Sequence, residues 1–159
     1  LLHDPRGFPT SRLDEVQPWL ERIFRKIDRH LGQICMWDED GIEDARVLIV
    51  AYGSTARSAR QAIKMARARY GRKVGLLRLK TLWPFPEEAV ERAAENVQRV
   101  VVPEMNQGQI ALEVARIVGR QKVVHVGRAD GQIVTPDLII DAMRAPRRRA
   151  SQGRVSVRQ

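Results

Sequence analysis

A chain of 159 residues with 43% hydrophobic composition is long enough to bury one core and too apolar to be a disordered polypeptide. Its lone cysteine, Cys35, leaves no internal disulfide and no thiolate cluster for zinc or iron–sulfur, which fits a reducing cytoplasm. The formal charge is +9, but six arginines from Arg144 onward (Arg144, Arg147, Arg148, Arg149, Arg154 and Arg158) have no acid among them. Setting them aside leaves 22 basic against 19 acidic residues, so the basicity belongs largely to the tail.

No apolar run approaches the roughly 18 residues that span a bilayer, and no charged-then-apolar leader opens the chain. Leu1 in place of a methionine suggests a piece of a longer polypeptide. Pro5, Gly7 and Pro9 make residues 1–17 read as a connector. Apolar residues at 20, 23, 24, 27 and 31 then predict a helix from Pro18 to Gly32, with the proline at its first position and the glycine at its stop. His30 near its end complements the helix dipole. Gln33–Trp37 is a short candidate strand, and Asp38-Glu39-Asp40-Gly41 an acidic turn.

Regular alternation begins at residue 46. The runs 46–52, 74–79, 99–102 and 122–127 are apolar and β-branched, the pattern of strands buried on both faces. Helical patterns follow them: one after Gly53-Ser54-Thr55 through Tyr70, with Ala59, Ala62, Ile63, Ala66 and Tyr70 on its inner face, then Pro86 to about Asn96, then about Asn106 to Val118. Thr135-Pro136-Asp137 starts a last helix through Met143. Four strand–helix alternations mean a parallel-dominated sheet covered on both faces. From Ala145 the chain reads as a disordered arginine-rich tail. The expected organisation is a connector and amphipathic helix over 1–32, an α/β domain over 33–144 and the tail over 145–159.

Three turns fall at the carboxyl ends of successive strands, where open α/β sheets bind ligands. They are Gly53-Ser54-Thr55, Lys80 to Pro86 with Trp83 at its centre, and Glu104-Met105-Asn106-Gln107-Gly108-Gln109. Ser54, Thr55 and Asn106 also suit helix caps. There is no G-x-G-x-x-G and no Walker lysine, so the residues carry no nucleotide fingerprint. Glu104 reads three ways: a base, a hydrogen-bond acceptor to a facing subunit, or a capping carboxylate. His125 reads as a satisfied core residue, and no catalytic pair or triad assembles. Arg57, Arg60, Lys64 and Arg67 recur at helical spacing, a solvated face or a patch for an acidic partner. The tail carries no aromatic to stack on bases, so a nucleic-acid role rests on charge alone.

With these motifs in view, Val47–Arg57 (VLIVAYGSTAR), Leu77–Pro86 (LRLKTLWPFP) and Val101–Gln109 (VVPEMNQGQ) resemble the C-terminal region of the α subunit of 2-oxoacid:ferredoxin oxidoreductases, the 2-oxoglutarate type above all. His3-Asp4-Pro5-Arg6-Gly7 resembles the segment that leaves the preceding domain there, with Pro5 where the family has glutamate, and Thr135-Pro136 matches its final helix start. The resemblance implies a transketolase C-terminal-like domain: a three-layer α/β/α fold with a mixed five-stranded sheet of order 1-3-2-4-5, the first strand antiparallel and formed by Gln33–Trp37. It implies that the complete enzyme turns a 2-oxoacid into an acyl-CoA with thiamine diphosphate, magnesium and iron–sulfur clusters, passing electrons to ferredoxin. It implies a cofactor held between the N-terminal domain of the α subunit and a β subunit. On that basis this chain binds no cofactor, has no turnover alone and uses Gly53, Ser54, Thr55, Trp83, Glu104, Asn106, Gly108 and Gln109 for contacts between domains or subunits. The alternatives of another class are a stand-alone nucleotide- or anion-binding module with its site at Gly53–Thr55, and a basic-tailed nucleic-acid-binding protein.

Overall fold

A computed structural model describes residues 2–71 and 73–144; the arginine-rich tail expected over 145–159 lies outside the described residues. A small hairpin comes first, β1 (Leu2–His3) against β2 (Pro9–Thr10). Asp4 holds its turn by accepting the backbone N–H groups of Arg6 and Phe8, both at 2.9 Å.

Helix α1 (Leu13–Asp28) starts upstream of the expected Pro18 and stops before the expected Gly32. Leu13 and Val16 extend the apolar seam upstream, Asp14 and Glu15 favour the positive end of the helix, and Thr10 donates to Glu15 at 2.6 Å. Pro18 lies in the second turn of the helix and forfeits one backbone bond there.

The expected first sheet strand at Gln33–Trp37 is displaced. Residues 31–34 form a short helix, α2 (Leu31–Ile34), and the strand is β3 (Trp37–Asp40). The Thr81 hydroxyl donates to the Ile34 carbonyl at 2.7 Å and accepts the Met36 N–H at 3.1 Å, which holds the chain off the sheet until Trp37. The acids expected to make a turn therefore lie in an edge strand. Each finds a cation: Asp38 pairs with Lys80 at 2.5 Å and Arg78 at 3.2 Å, Glu39 with Arg92, and Asp40 with Arg67 at 3.3 Å. The Lys80 bond, with Arg78 nearby, holds the Asp38 carboxyl below its ordinary range. Charge of this kind on an edge strand also discourages edge-to-edge aggregation.

The remaining elements follow the expected alternation: β4 (Val47–Tyr52), α3 (Thr55–Tyr70), β5 (Val74–Leu79), α4 (Glu87–Ala94), β6 (Arg99–Glu104), α5 (Gln109–Val118), a single 3-10 turn at Arg120–Lys122, β7 (Val123–Gly127) and α6 (Pro136–Arg144). Helix α6 opens with the Thr135 hydroxyl accepting the Leu138 N–H at 3.4 Å. The main sheet runs β3-β5-β4-β6-β7, with β3 antiparallel to β5 and the other pairs parallel. In strand sequence this is 1-3-2-4-5, the three-layer α/β/α order that the resemblance implied.

Helices α3 and α6 cover one face of the sheet, α4 and α5 the other. Ala56, Ala59, Ala62 and Ala66 bring α3 close to the sheet, and Val100, Val102 and Val101 of β6 are fully buried towards opposite faces. Those three valines contribute together on the order of 5–9 kcal/mol, enough to offset the several kcal/mol that burying a carboxylate at the end of the same strand costs. Gly75 in β5 marks another close approach, because a Cβ there would sit 2.9 Å from the Gly41 carbonyl oxygen and 3.1 Å from the Ala45 Cβ. Gly75→Ala is expected to lower the free energy of unfolding by about 1–3 kcal/mol, read as a shifted urea midpoint at unchanged slope.

Candidate functional site

The strand order reverses between β4 and β6, because β4 leads through α3 to β5 on one side and β6 leads through α5 to β7 on the other. Their pairing covers only Val47, Leu48 and Ile49 against Arg99, Val100 and Val101. Beyond that the two carboxyl ends are unpaired and leave a crevice at the point where doubly wound sheets place ligands. Tyr52 ends one wall and Glu104 the other.

The chain's own side chains fill this crevice. The Glu104 side chain is 0% exposed. Its Oε1 accepts the Ala111 N–H at 2.9 Å, while Oε2 accepts the Ile110 N–H at 3.0 Å and the Tyr52 hydroxyl at 3.2 Å. Those two amides lie in the first turn of α5, where N–H groups lack partners within the helix and favour an anion. Glu104 thus caps α5 from the strand that precedes the helix. The Tyr52 oxygen also accepts the Asn106 Nδ2–H at 2.6 Å, and Asn106 Oδ1 accepts the N–H groups of Gly108 at 2.8 Å and Gln109 at 3.4 Å. Burial first, and the neighbouring carboxylate second, push the Tyr52 hydroxyl above its ordinary pKa, so it stays protonated and donating.

His125 belongs to this cluster, and it is not the satisfied core residue expected from a lone strand histidine. Among the described residues its Nε2 is buried without a hydrogen-bond partner, and it lies 3.6 Å from Glu104 Oε1. Gly127, opposite Glu104 in the register, leaves room for the ring, because a Cβ there would come within 2.2 Å of His125 Cε1 and 2.7 Å of the Asn106 carbonyl oxygen. Burial holds the imidazole below its ordinary value of 6.5, and the facing carboxylate opposes that only in part. As pH falls through 6.5 the unfolded chain takes up this proton before the folded chain does. Stability is therefore expected to drop with acidity just below pH 6.5, and His125→Gln should flatten that part of a urea-midpoint series between pH 7.5 and 5.

The other carboxyl-edge residues divide by burial. Thr55 is buried and its hydroxyl donates to the Tyr52 carbonyl at 2.7 Å. Ser54 is exposed and its hydroxyl turns to the Met105 sulfur at 3.4 Å. Neither side chain caps α3. Gly53 and Gln109 are exposed, Asn106 is half-buried and Gly108 is buried. Trp83 stands out at 75% exposure, next to the partly exposed Leu82. Arg57, Arg60, Lys64 and Arg67 lie on the solvent side of α3. Sequence reasoning did not single out Tyr52. The available signal was a tyrosine ending an apolar strand, whose hydroxyl needs a partner at the strand's carboxyl end.

Among the described residues no group of three His, Cys, Asp or Glu side chains is placed to hold a metal, and Cys35 is a single thiol half-buried near the Pro84 carbonyl. No described helix is long and apolar enough to cross a membrane.

Comparison with known proteins gives a consistent set of matches. Residues 45–139 match the family model of pyruvate:ferredoxin oxidoreductase core domain II. The chain is 35% identical over 143 residues to 2-oxoglutarate synthase subunit KorA of Methanothermobacter marburgensis, covering 89% of this chain and 38% of that one. It is 41% identical over 117 residues to the subunit of the same name from Archaeoglobus fulgidus, covering 74% and 32%. Among solved structures, 2-oxoglutarate:ferredoxin oxidoreductase from Magnetococcus marinus, with 2-oxoglutarate, coenzyme A and succinyl-CoA bound, superposes with a TM-score of 0.78 at 27% identity, over 91% of this chain and 25% of that one. A split-gene transketolase shares the fold, with a TM-score of 0.57 at 24% identity over 67% of this chain and 40% of that one. The chain thus spans well under half the length of these relatives.

Proposed function

This chain belongs to the pyruvate:ferredoxin oxidoreductase core domain II family, and from that premise we propose that it is the C-terminal α/β domain of the α subunit of a 2-oxoacid:ferredoxin oxidoreductase, with 2-oxoglutarate as the substrate. The complete enzyme oxidatively decarboxylates the 2-oxoacid to its acyl-CoA and hands the electrons to ferredoxin. The observation that carries this reading is the match to 2-oxoglutarate synthase subunits over 38% of their length.

Within that enzyme the domain is a contact module with no chemistry of its own. The crevice that would take a ligand is filled by Glu104, Tyr52 and Asn106, whose polar atoms are engaged with one another and with α5. The donor set does not fit an iron–sulfur cluster, which takes four thiolates or their equivalents. Clusters, thiamine diphosphate and magnesium belong to the other parts of the assembly. Gly53, Ser54, Trp83 and Gln109 offer the contact surface, over backbone fixed by Thr55, Glu104, Asn106 and Gly108. The facing partners are the N-terminal domain of the same subunit and a β subunit, with coenzyme A and ferredoxin as co-substrates, in the cytoplasm. The apolar side of α1, with Leu13 79% and Phe24 65% exposed and no residue of the helix buried, supports a further covered surface in the longer protein.

Titration calorimetry separates this reading from a stand-alone anion-binding module. Coenzyme A, ATP and thiamine diphosphate should each give no saturable heat with the isolated chain at ligand concentrations up to the millimolar range. Micromolar binding of any of them, lost on changing Ser54 or Thr55, would instead establish an anion site at the head of α3.

A further inference from the structure

Helix α3 has five cations (Arg57, Arg60, Lys64, Arg67 and Arg69) and no acid. Arg57, Arg60, Lys64 and Arg67 follow one another at spacings of three, four and three on the exposed side, a line about 15 Å long. Arg67 is engaged, with Asp40 at 3.3 Å and the Val74 carbonyl at 2.7 Å. Arg57, Arg60 and Lys64 form no ion pair among the described residues, and neither do the exposed Asp137 and Asp141 of α6, the helix packed beside α3. Locally the arrangement is unfavourable. Like charges one turn apart destabilise a helix by tenths of a kcal/mol per pair, and Arg57 sits in the first turn, at the positive end of the helix.

From this stripe we propose that α3 is the surface on which a small acidic protein, the electron carrier of the enzyme, docks transiently; the inference rests on the function proposed above. Among the described residues, the other exposed side chains of α3 include no large apolar group: Gln61 and Ala68 interleave with the cations. A permanent interface needs an apolar core, which this face lacks. A single small anion needs a concave site, whereas the stripe lies along a convex helix. Among the described exposed side chains of the helix none is an aromatic that could stack on bases. A row of carboxylates on a protein that must arrive and leave in each turnover fits all three features. Such a row gains chiefly in association rate, with a steep dependence on salt.

The test uses the assembled enzyme and the 159-residue chain side by side. In the assembled enzyme, Arg60→Glu/Lys64→Glu should lower kcat/KM for ferredoxin tenfold or more, mostly through KM, and leave 2-oxoglutarate-dependent reduction of methyl viologen within twofold. The parent's viologen rate checks the enzymatic reading separately, since a parent that reduces neither acceptor refutes that reading. Binding of fluorescently labelled ferredoxin to the isolated chain at low salt needs no turnover. The stripe pair should weaken it tenfold or more, and the equal charge change Arg148→Glu/Arg149→Glu in the tail less than twofold. Equal losses from the two pairs, or binding that ignores the stripe, overturn the proposal. So does a 20-nucleotide single-stranded DNA that binds through the stripe as tightly as ferredoxin.

Discussion

Glu104→Ala is expected to lower the free energy of unfolding by about 3–5 kcal/mol, the largest effect of any single polar substitution considered for this chain. The change leaves the Ile110 and Ala111 amides and the Tyr52 hydroxyl without their acceptor, in a place the carboxylate fills at 0% exposure. Each buried donor left unpaired costs about 1–3 kcal/mol, and partial relaxation around the smaller side chain keeps the sum below the simple total. Against a typical stability of about 5–15 kcal/mol, the loss is large enough to leave the chain marginal. Glu104→Gln keeps the volume and one acceptor but turns an NH2 group on a helix amide, so about 1–3 kcal/mol is expected. Tyr52→Phe removes one partner of the carboxylate and one of Asn106, and should cost about 1 kcal/mol. Urea denaturation with both far-UV and near-UV signals gives the order. An alanine variant within 1 kcal/mol of the parent would show that Glu104 does not brace the β6–α5 junction.

How far this brace could be read from the sequence depends on which of its forces are local. Strands β4, β5 and β6 are buried on both faces, so each is written as an apolar run that needs no context. Edge strand β3 is written in acids, because one side of it is free and its charges are answered by Arg78 and Lys80 on or just after the neighbouring strand, Arg92 on α4 and Arg67 on α3. None of those partners is near it in sequence, so a turn was the natural local reading. The strand order is likewise not a local property, and it entered through the family resemblance.

For the site, proximity of Glu104 to a helix start left cap, base and outward contact equally open. The choice depends on β4 and β6 parting after Ile49 and Val101, which brings the Tyr52 hydroxyl to the carboxylate and turns both inward. The same parting sets Glu104 beside His125, on strands that pair through Val102 and His125. A histidine in an apolar strand looks satisfied until the absence of a partner for its Nε2 is seen in three dimensions.

The second large effect concerns assembly and leaves the fold alone. Trp83 is 75% exposed beside Leu82 at 36%, and the turn that carries them is tied to Met36, itself 55% exposed, whose carbonyl accepts the N–H groups of Lys80 and Thr81 at 2.9 and 3.1 Å. A solvated indole contributes little to folding, so Trp83→Ala should change the stability of the isolated chain by no more than about 0.5 kcal/mol. An exposed tryptophan among apolar neighbours is what an interface uses as an anchor, and truncating such an anchor costs about 2 kcal/mol or more. The variant is therefore expected to weaken association of the α subunit that carries this domain with the β subunit at least 30-fold, measured by sedimentation velocity on the assembled complex. The pairing of results carries the argument, since a core residue would lower both quantities and a merely solvated loop neither. Association within twofold of the parent, with stability unchanged, would move the contact surface away from the β5–α4 turn and onto α1, the other apolar face left open.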